Sequence, residues 1–196
     1  MTTLDAIIAL DKKAFLAANH ALSSPALGFI FDCVTRVGEA YFAGAMACLL
    51  LLLYDRKAFR SHAPWLIGAM IIGGMINSQL KDLFERQRPL KEFAPMISAG
   101  ETWVNVVGPR LYARSFPSGH AQTAFSAFTY VALACRTTPF IAGSLVTAFL
   151  IAVSRIAVGA HFPLDLAAGA IVGSSCATAA WFMRKKVAAL FEKKPS

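Results

Sequence analysis

Ser154-Arg155-Ile156-Ala157-Val158-Gly159-Ala160-His161-Phe162-Pro163-Leu164-Asp165 lies between two long apolar runs. Within twelve residues it sets an arginine, a histidine and a carboxylate in otherwise apolar surroundings. A charged side chain at the middle of a bilayer costs roughly 2.5–3.5 kcal/mol on insertion scales. Charges at the edge of apolar runs therefore either reach for the membrane surface or serve a site. Their clustering here points to a site, and to a chain that folds back on itself to complete it.

Composition supports the membrane setting. Of 196 residues, 57% are hydrophobic and 15% are charged, too apolar for an ordinary soluble domain of this size. The net charge is +8, but the cations gather in loops and near the C-terminus. That pattern reads as membrane orientation. No basic stripe is interleaved with aromatics on a polar face, so nucleic acid is excluded as a partner. Cys33, Cys48, Cys135 and Cys176 are scattered without C-x-x-C spacing and read as small apolar residues. The first 20 residues carry Asp5, Asp11, Lys12 and Lys13 and lack the apolar core of a signal peptide.

The patterning predicts an all-α, polytopic membrane bundle in one domain, residues 1–196. Residues 1–37 read as amphipathic interfacial helices, one over 3–22 and a second over 26–37 that Ser24 would cap. Residues 38–183 form the transmembrane bundle, with five spans at 38–54, 64–80, 118–135, 139–154 and 162–183. Residues 55–63 are expected as a loop, and residues 184–196 as a basic cytoplasmic tail with Arg184, Lys185, Lys186, Lys193 and Lys194. Gly169 and Gly173 make a G-x-x-x-G step suited to close helix packing. The 55–63 loop, Arg136 and the tail fall on one side, which positive-inside places in the cytoplasm.

Alternation brings four span ends to the opposite face. Lys81 closes the second span, and Arg88 follows two helical turns later on the same face, before Pro89 ends the helix. Pro117-Ser118-Gly119-His120 opens the third span; Arg155 closes the fourth; His161 and Asp165 open the fifth. Three cations match a phosphate dianion. Gly119 permits close backbone approach, Ser118 offers a hydroxyl, and a helix N-terminus offers free N–H groups. Two histidines suit a double displacement, one attacking phosphorus and one protonating the leaving oxygen. Asp165 can hold one imidazole N–H of His161 and leave the other nitrogen bare. His120 has no acid nearby in sequence and suits the donor role. No metal or other cofactor is expected: His120, His161 and Asp165 could act as ligands, but three neighbouring cations would repel a metal ion. His20 and His62 read as ordinary hydrogen-bonded residues. Singly, Lys81 or Arg155 would read as interfacial snorkelling.

Lys81-x6-Arg88-Pro89, Pro117-Ser118-Gly119-His120 and Ser154-Arg155-x5-His161-x3-Asp165 together resemble the three signature motifs of the type 2 phosphatidic acid phosphatase superfamily, complete and in order over residues 81–165. The resemblance implies a bundle of about six helices and metal-independent hydrolysis of lipid phosphate monoesters or diphosphates. It implies His161 as nucleophile through a phosphohistidine, Asp165 as its partner and His120 as general acid. Lys81, Arg88, Ser118, Gly119 and Arg155 would bind the phosphate.

The expected partners are a lipid phosphate and the bilayer. Undecaprenyl diphosphate is favoured, followed by phosphatidylglycerol phosphate, phosphatidic acid and the 1-phosphate of lipid A. The expected location is a bacterial inner (plasma) membrane, with the site on the periplasmic or extracellular face. A lipid phosphotransferase would use the same motifs, and a lipid- or anion-binding protein is the non-enzymatic alternative. The 90–116 segment, with Trp103, Arg110 and Arg114, either frames the headgroup or is a solvated loop.

Overall fold

The computed structural model describes residues 2–192. The described residues form helices joined by turns and one long segment, residues 99–118. Helix α1 (Thr3–Ala21) starts with a capping box: Thr2 Oγ1 accepts from the Asp5 N–H at 3.2 Å, and Asp5 Oδ2 accepts from the Thr2 N–H at 2.8 Å. Helix α2 (Pro25–Val37) has Ser24 as its N-cap, as the sequence indicates, with Pro25 in the first turn. The two helices meet at 114°, so they do not make one straight span.

Helix α3 (Ala40–Tyr54) and helix α4 (Arg56–Phe84) are separated by Asp55 alone. The expected 55–63 loop is therefore helical. Asp55 Oδ2 accepts from the Ala58 N–H at 2.8 Å and starts α4 at Arg56, which carries through Pro64. Twenty-nine residues of α4 reach roughly 43 Å at 1.5 Å each, about the full bilayer thickness. Glu85 ends it in a left-handed conformation, φ 43°. Arg88 thus lies beyond the helix in extended backbone, not on the face of Lys81 as the seven-residue spacing predicts. Two short helices follow, α5 (Pro89–Glu92) and α6 (Ala94–Ser98).

Helix α7 (Gly119–Cys135) is the axis of the bundle and packs against α3, α4 and the last two helices, α8 (Thr138–Ala157) and α9 (Pro163–Glu192). Ala121, Ala124, Ala127, Phe128, Tyr130 and Val131 of α7 are fully buried. A helix buried on every side needs small residues, and its neighbours supply them too. A Cβ added at Gly169 would lie 3.1 Å from the Ala121 Cβ, and one at Gly173 only 2.8 Å from the Ser126 backbone nitrogen. The G-x-x-x-G step is where α9 presses onto α7.

The outer surface is apolar. Leu53, Ile71, Met75, Phe149 and Ile171 are all more than half exposed. A lipid environment accommodates that surface; water does not. Each of the five expected spans coincides with a helix, but among the described residues α8 and α9 are the single helices long and apolar enough to cross by length and composition alone. Helix α3 has 15 residues, and α7 has 17 and is sheathed by protein.

One end of the bundle is basic. Arg184 donates from Nη2 to Ser61 Oγ at 3.0 Å, tying the end of α9 to the start of α4. Arg184, Lys185 and Lys186 belong to α9, which extends into the expected tail; Lys193 and Lys194 lie outside the described residues. Lys185 sits over the Trp181 ring at 4.6 Å, at the same end. The four cysteines are free thiols, and His62 bonds the Tyr130 hydroxyl at 3.2 Å.

Candidate active site

At the opposite end, helix termini converge. Pro163 opens α9, and the Asp165 side chain turns back to accept from the Phe162 N–H at 2.9 Å. This local turn holds His161 just before the helix. His161 Nδ1 faces Asp165 Oδ2 at 3.4 Å and Ser115 Oγ at 3.5 Å, and Ser115 Oγ donates to that same carboxylate oxygen at 2.6 Å. On the far side of the ring, Arg88 Nη1 donates to His161 Nε2 at 3.2 Å. A guanidinium has only donors, so Nε2 is the unprotonated nitrogen and the proton sits on Nδ1. Burial pushes the His161 imidazole down to about 3, helped by Arg88 and Arg155 and opposed by Asp165, so the ring is neutral near pH 7.

Five more of the expected residues lie at the same end of the bundle. Ser118 is the N-cap of α7: its Oγ accepts from the Ala121 N–H at 3.4 Å, and its own N–H donates to the Asp165 carbonyl at 2.9 Å. Gly119 and His120 form the first turn of α7. Lys81 donates from Nζ to the Arg114 carbonyl at 2.7 Å. Arg88 also donates from Nε to the Ala113 carbonyl at 2.8 Å, and burial lowers its pKa while Asp165 opposes the shift. Arg155 is 8% exposed and donates from Nη1 to Thr35 Oγ1, while its Nε has no partner.

His120 borders two cavities. One, of about 300 Å³, is lined by Thr35, Glu39, Val107, Arg155 and Gly159. The other, of about 500 Å³, lies between α3 and α4 and is lined by Gly74, Asn77, Ser78, Lys81 and Gly119. The second shares Tyr41, Gly74, Gln122 and Thr123 with an apolar groove of about 510 Å³ that runs down Gly44, Ile67 and Met70. A cavity bordered by Lys81 and His120 thus adjoins an apolar groove.

Several residues that sequence patterning passes over complete the site. Arg86 bridges Asp165 and Asp11, each at 2.6 Å. Asn19 of α1 donates to the Ile156 carbonyl at 2.8 Å and accepts from the Asn105 N–H at 2.8 Å, so α1 holds both the end of α8 and the 99–118 segment. Gly159, at φ +72°, lies under Asn105, where a Cβ would collide with that backbone carbonyl. The expected interfacial helices therefore brace the site with Asp11, Asn19 and Thr35. In the 99–118 segment, Ser115 and the Ala113 and Arg114 carbonyls reach the site residues. Trp103 instead stacks on His20 at 4.1 Å, and Arg110 lines a separate surface hollow. The cations of this face, an exception to the positive-inside pattern, are largely engaged: Arg114 pairs with Asp82 at 2.7 Å, and Arg86 with its two carboxylates.

The PAP2 superfamily model matches residues 62–188, which contain all three motifs. The chain belongs to the PAP2 superfamily. It is 26% identical over 187 residues to phosphatidylglycerophosphatase B of Bacillus subtilis (strain 168), covering 84% of this chain and 82% of that protein. It is 26% identical over 141 residues to an undecaprenyl-diphosphatase of Sulfolobus acidocaldarius, covering 72% and 63%. Among solved structures it resembles Aquifex aeolicus LpxE, with TM-score 0.68, 28% identity and coverage of 86% of this chain and 92% of that one. The fold also matches a transmembrane PAP2-type phosphatidylglycerolphosphate phosphatase from Bacillus subtilis, with TM-score 0.71, 21% identity and coverage of 93% and 88%. This PAP2 chain is accordingly an integral membrane protein of a phosphatase family, with a helical bundle as its fold.

Proposed function

We propose that this PAP2 protein hydrolyses a phosphate monoester or diphosphate on a membrane lipid through a phosphohistidine at His161. The observation that carries the reading is the setting of the imidazole: Nδ1 toward the Asp165 carboxylate, and an unprotonated Nε2 that accepts from Arg88. The lipid enters sideways between α3 and α4. Its tails occupy the apolar groove, and its phosphate sits among Lys81, Arg88, Arg155 and the first turn of α7, with Ser118 and Gly119. These donors stabilise the charge on the equatorial oxygens in the transition state. His161 Nε2 forms the N–P bond as the P–O bond to the lipid breaks, and His120 gives its proton to the leaving oxygen. His120 then takes a proton from water, whose oxygen attacks phosphorus and breaks the P–N bond. Phosphate leaves, and His161 is restored.

Three cations around the phosphate position leave no electrostatic place for a metal ion, so the reaction proceeds without one. Undecaprenyl diphosphate is the favoured substrate, followed by phosphatidylglycerol phosphate, phosphatidic acid and lipid A 1-phosphate. The basic end around Arg60, Arg136 and Arg184 faces the cytoplasm by the positive-inside pattern, and the site faces the periplasm or exterior of a bacterial inner membrane. The test is phosphate release in detergent with excess chelator across those four lipids, beside His161→Ala. Release from one lipid, abolished in the variant and unaffected by chelator, is the expected result. Release that persists in His161→Ala refutes the phosphohistidine, and loss on chelation refutes the metal-free reaction.

A further inference from the structure

Arg86 has no part in the proposed reaction, although it pairs with two carboxylates on this face. Its Nη1 donates to Asp165 Oδ1 and its Nη2 to Asp11 Oδ2, both at 2.6 Å. Its guanidinium carbon lies 4.2 Å from the centre of the Phe162 ring. The Asp11 side chain is 1% exposed and its other oxygen accepts from the Leu164 N–H at 2.9 Å. Asp11 therefore grips Arg86 and the first turn of α9 at once.

The carboxylate of Asp165 is divided between two sets of donors. Oδ2 takes the Ser115 hydroxyl and the Phe162 N–H and faces His161 Nδ1; Oδ1 takes Arg86. Arg86 thereby fixes rotation of the carboxylate and supplies the charge that a fully buried anion requires. Both of its Nη groups are committed to carboxylates. Its charge is not spent on substrate.

We propose that Arg86, clamped by Asp11 of α1, is a positioning residue that sets the Asp165 carboxylate and so keeps His161 in the tautomer with Nε2 bare. The N-terminal helix is then part of the catalytic apparatus. This inference rests on His161 being the nucleophile.

The experiment uses the full chain in detergent with Arg86→Gln, Arg86→Lys, Asp11→Asn and the Arg86→Gln/Asp11→Asn double variant. Steady-state release is measured on the lipid that the wild type hydrolyses. Two-bond ¹H–¹⁵N spectra of histidine-labelled protein report the His161 tautomer, with the signal assigned through His161→Ala. Arg86→Gln lowers kcat by about 10²-fold, the scale for a misplaced catalytic group, with KM nearly unchanged. Arg86→Lys regains part of the rate because one ammonium reaches one carboxylate. The double variant is no worse than Arg86→Gln, since the two residues act as a unit. The spectra change from a single Nδ1–H form to a mixture in Arg86→Gln.

An unchanged kcat, a rise in KM alone, additive losses or an unchanged His161 spectrum each overturn the proposal. If Arg86→Gln does not fold, Asp11→Asn and Arg86→Lys decide by the same readings. A wild type silent on every lipid defeats the proposed function, whereas the histidine spectra still decide whether Arg86 sets the tautomer.

Discussion

Ser115→Ala isolates a single hydrogen bond at the core of the site. The Ser115 hydroxyl donates to Asp165 Oδ2 at 2.6 Å, and both residues are 0% exposed. No water reaches the carboxylate to replace the lost donor. A hydrogen bond to a charged group contributes about 1.5–3 kcal/mol. If that strength is felt at the proposed phosphorylation of His161, kcat falls by about 10- to 150-fold at 1.36 kcal/mol per decade. The loss belongs in kcat, because Ser115 does not line the cavities at the phosphate position. The assay is steady-state phosphate release in detergent, with thermal unfolding of the same samples to confirm a folded bundle. A folded Ser115→Ala protein with wild-type kcat would show that Asp165 needs no support on that oxygen, and the account of the site would fail.

Other expectations concern the surroundings of the site. Thr35→Val removes the acceptor of Arg155 Nη1 and leaves a buried guanidinium free to swing from the phosphate position; KM should rise by roughly tenfold, the scale of about 1.4 kcal/mol. Gly173→Leu forces a side chain into the α7 backbone and should lower stability by about 1–3 kcal/mol, seen as a lower thermal midpoint. For pH, the folded His161 titrates near 3 against about 6.5 when unfolded, so the unfolded chain takes up the proton first. Its contribution to stability is present above about pH 6.5 and is lost as pH falls toward 3. The thermal midpoint should therefore drop between pH 7 and 4, and the drop should be smaller in His161→Asn.

Much of the candidate site's geometry was legible in the sequence because its rules are local. Ser118 caps α7, Pro163 opens α9, and Asp165 reaches back to the Phe162 N–H three residues earlier; each is set by nearest neighbours. Alternation of apolar spans then suffices to bring Lys81, His120, Arg155 and His161 to one face. The G-x-x-x-G step likewise announces tight packing before any partner is known. The long α4 was less legible, since Arg56, Lys57 and Arg60 look like a loop until Asp55 is seen as a cap and Ser61 as the seat of Arg184.

What the tertiary structure alone decided is what holds the site in place. Arg86 meets Asp11 and Asp165 across 75 and 79 positions, and Arg155 meets Thr35 across 120. Nothing periodic marks Asp11 or Thr35: each sits in a short amphipathic helix where a polar residue reads as surface. They are buried because α1 and α2 fold against α8 and α9, and a buried charge must find its partner wherever the chain brings one. Local chemistry thus specifies the proposed reacting groups, whereas only the assembled bundle determines which distant residues hold them.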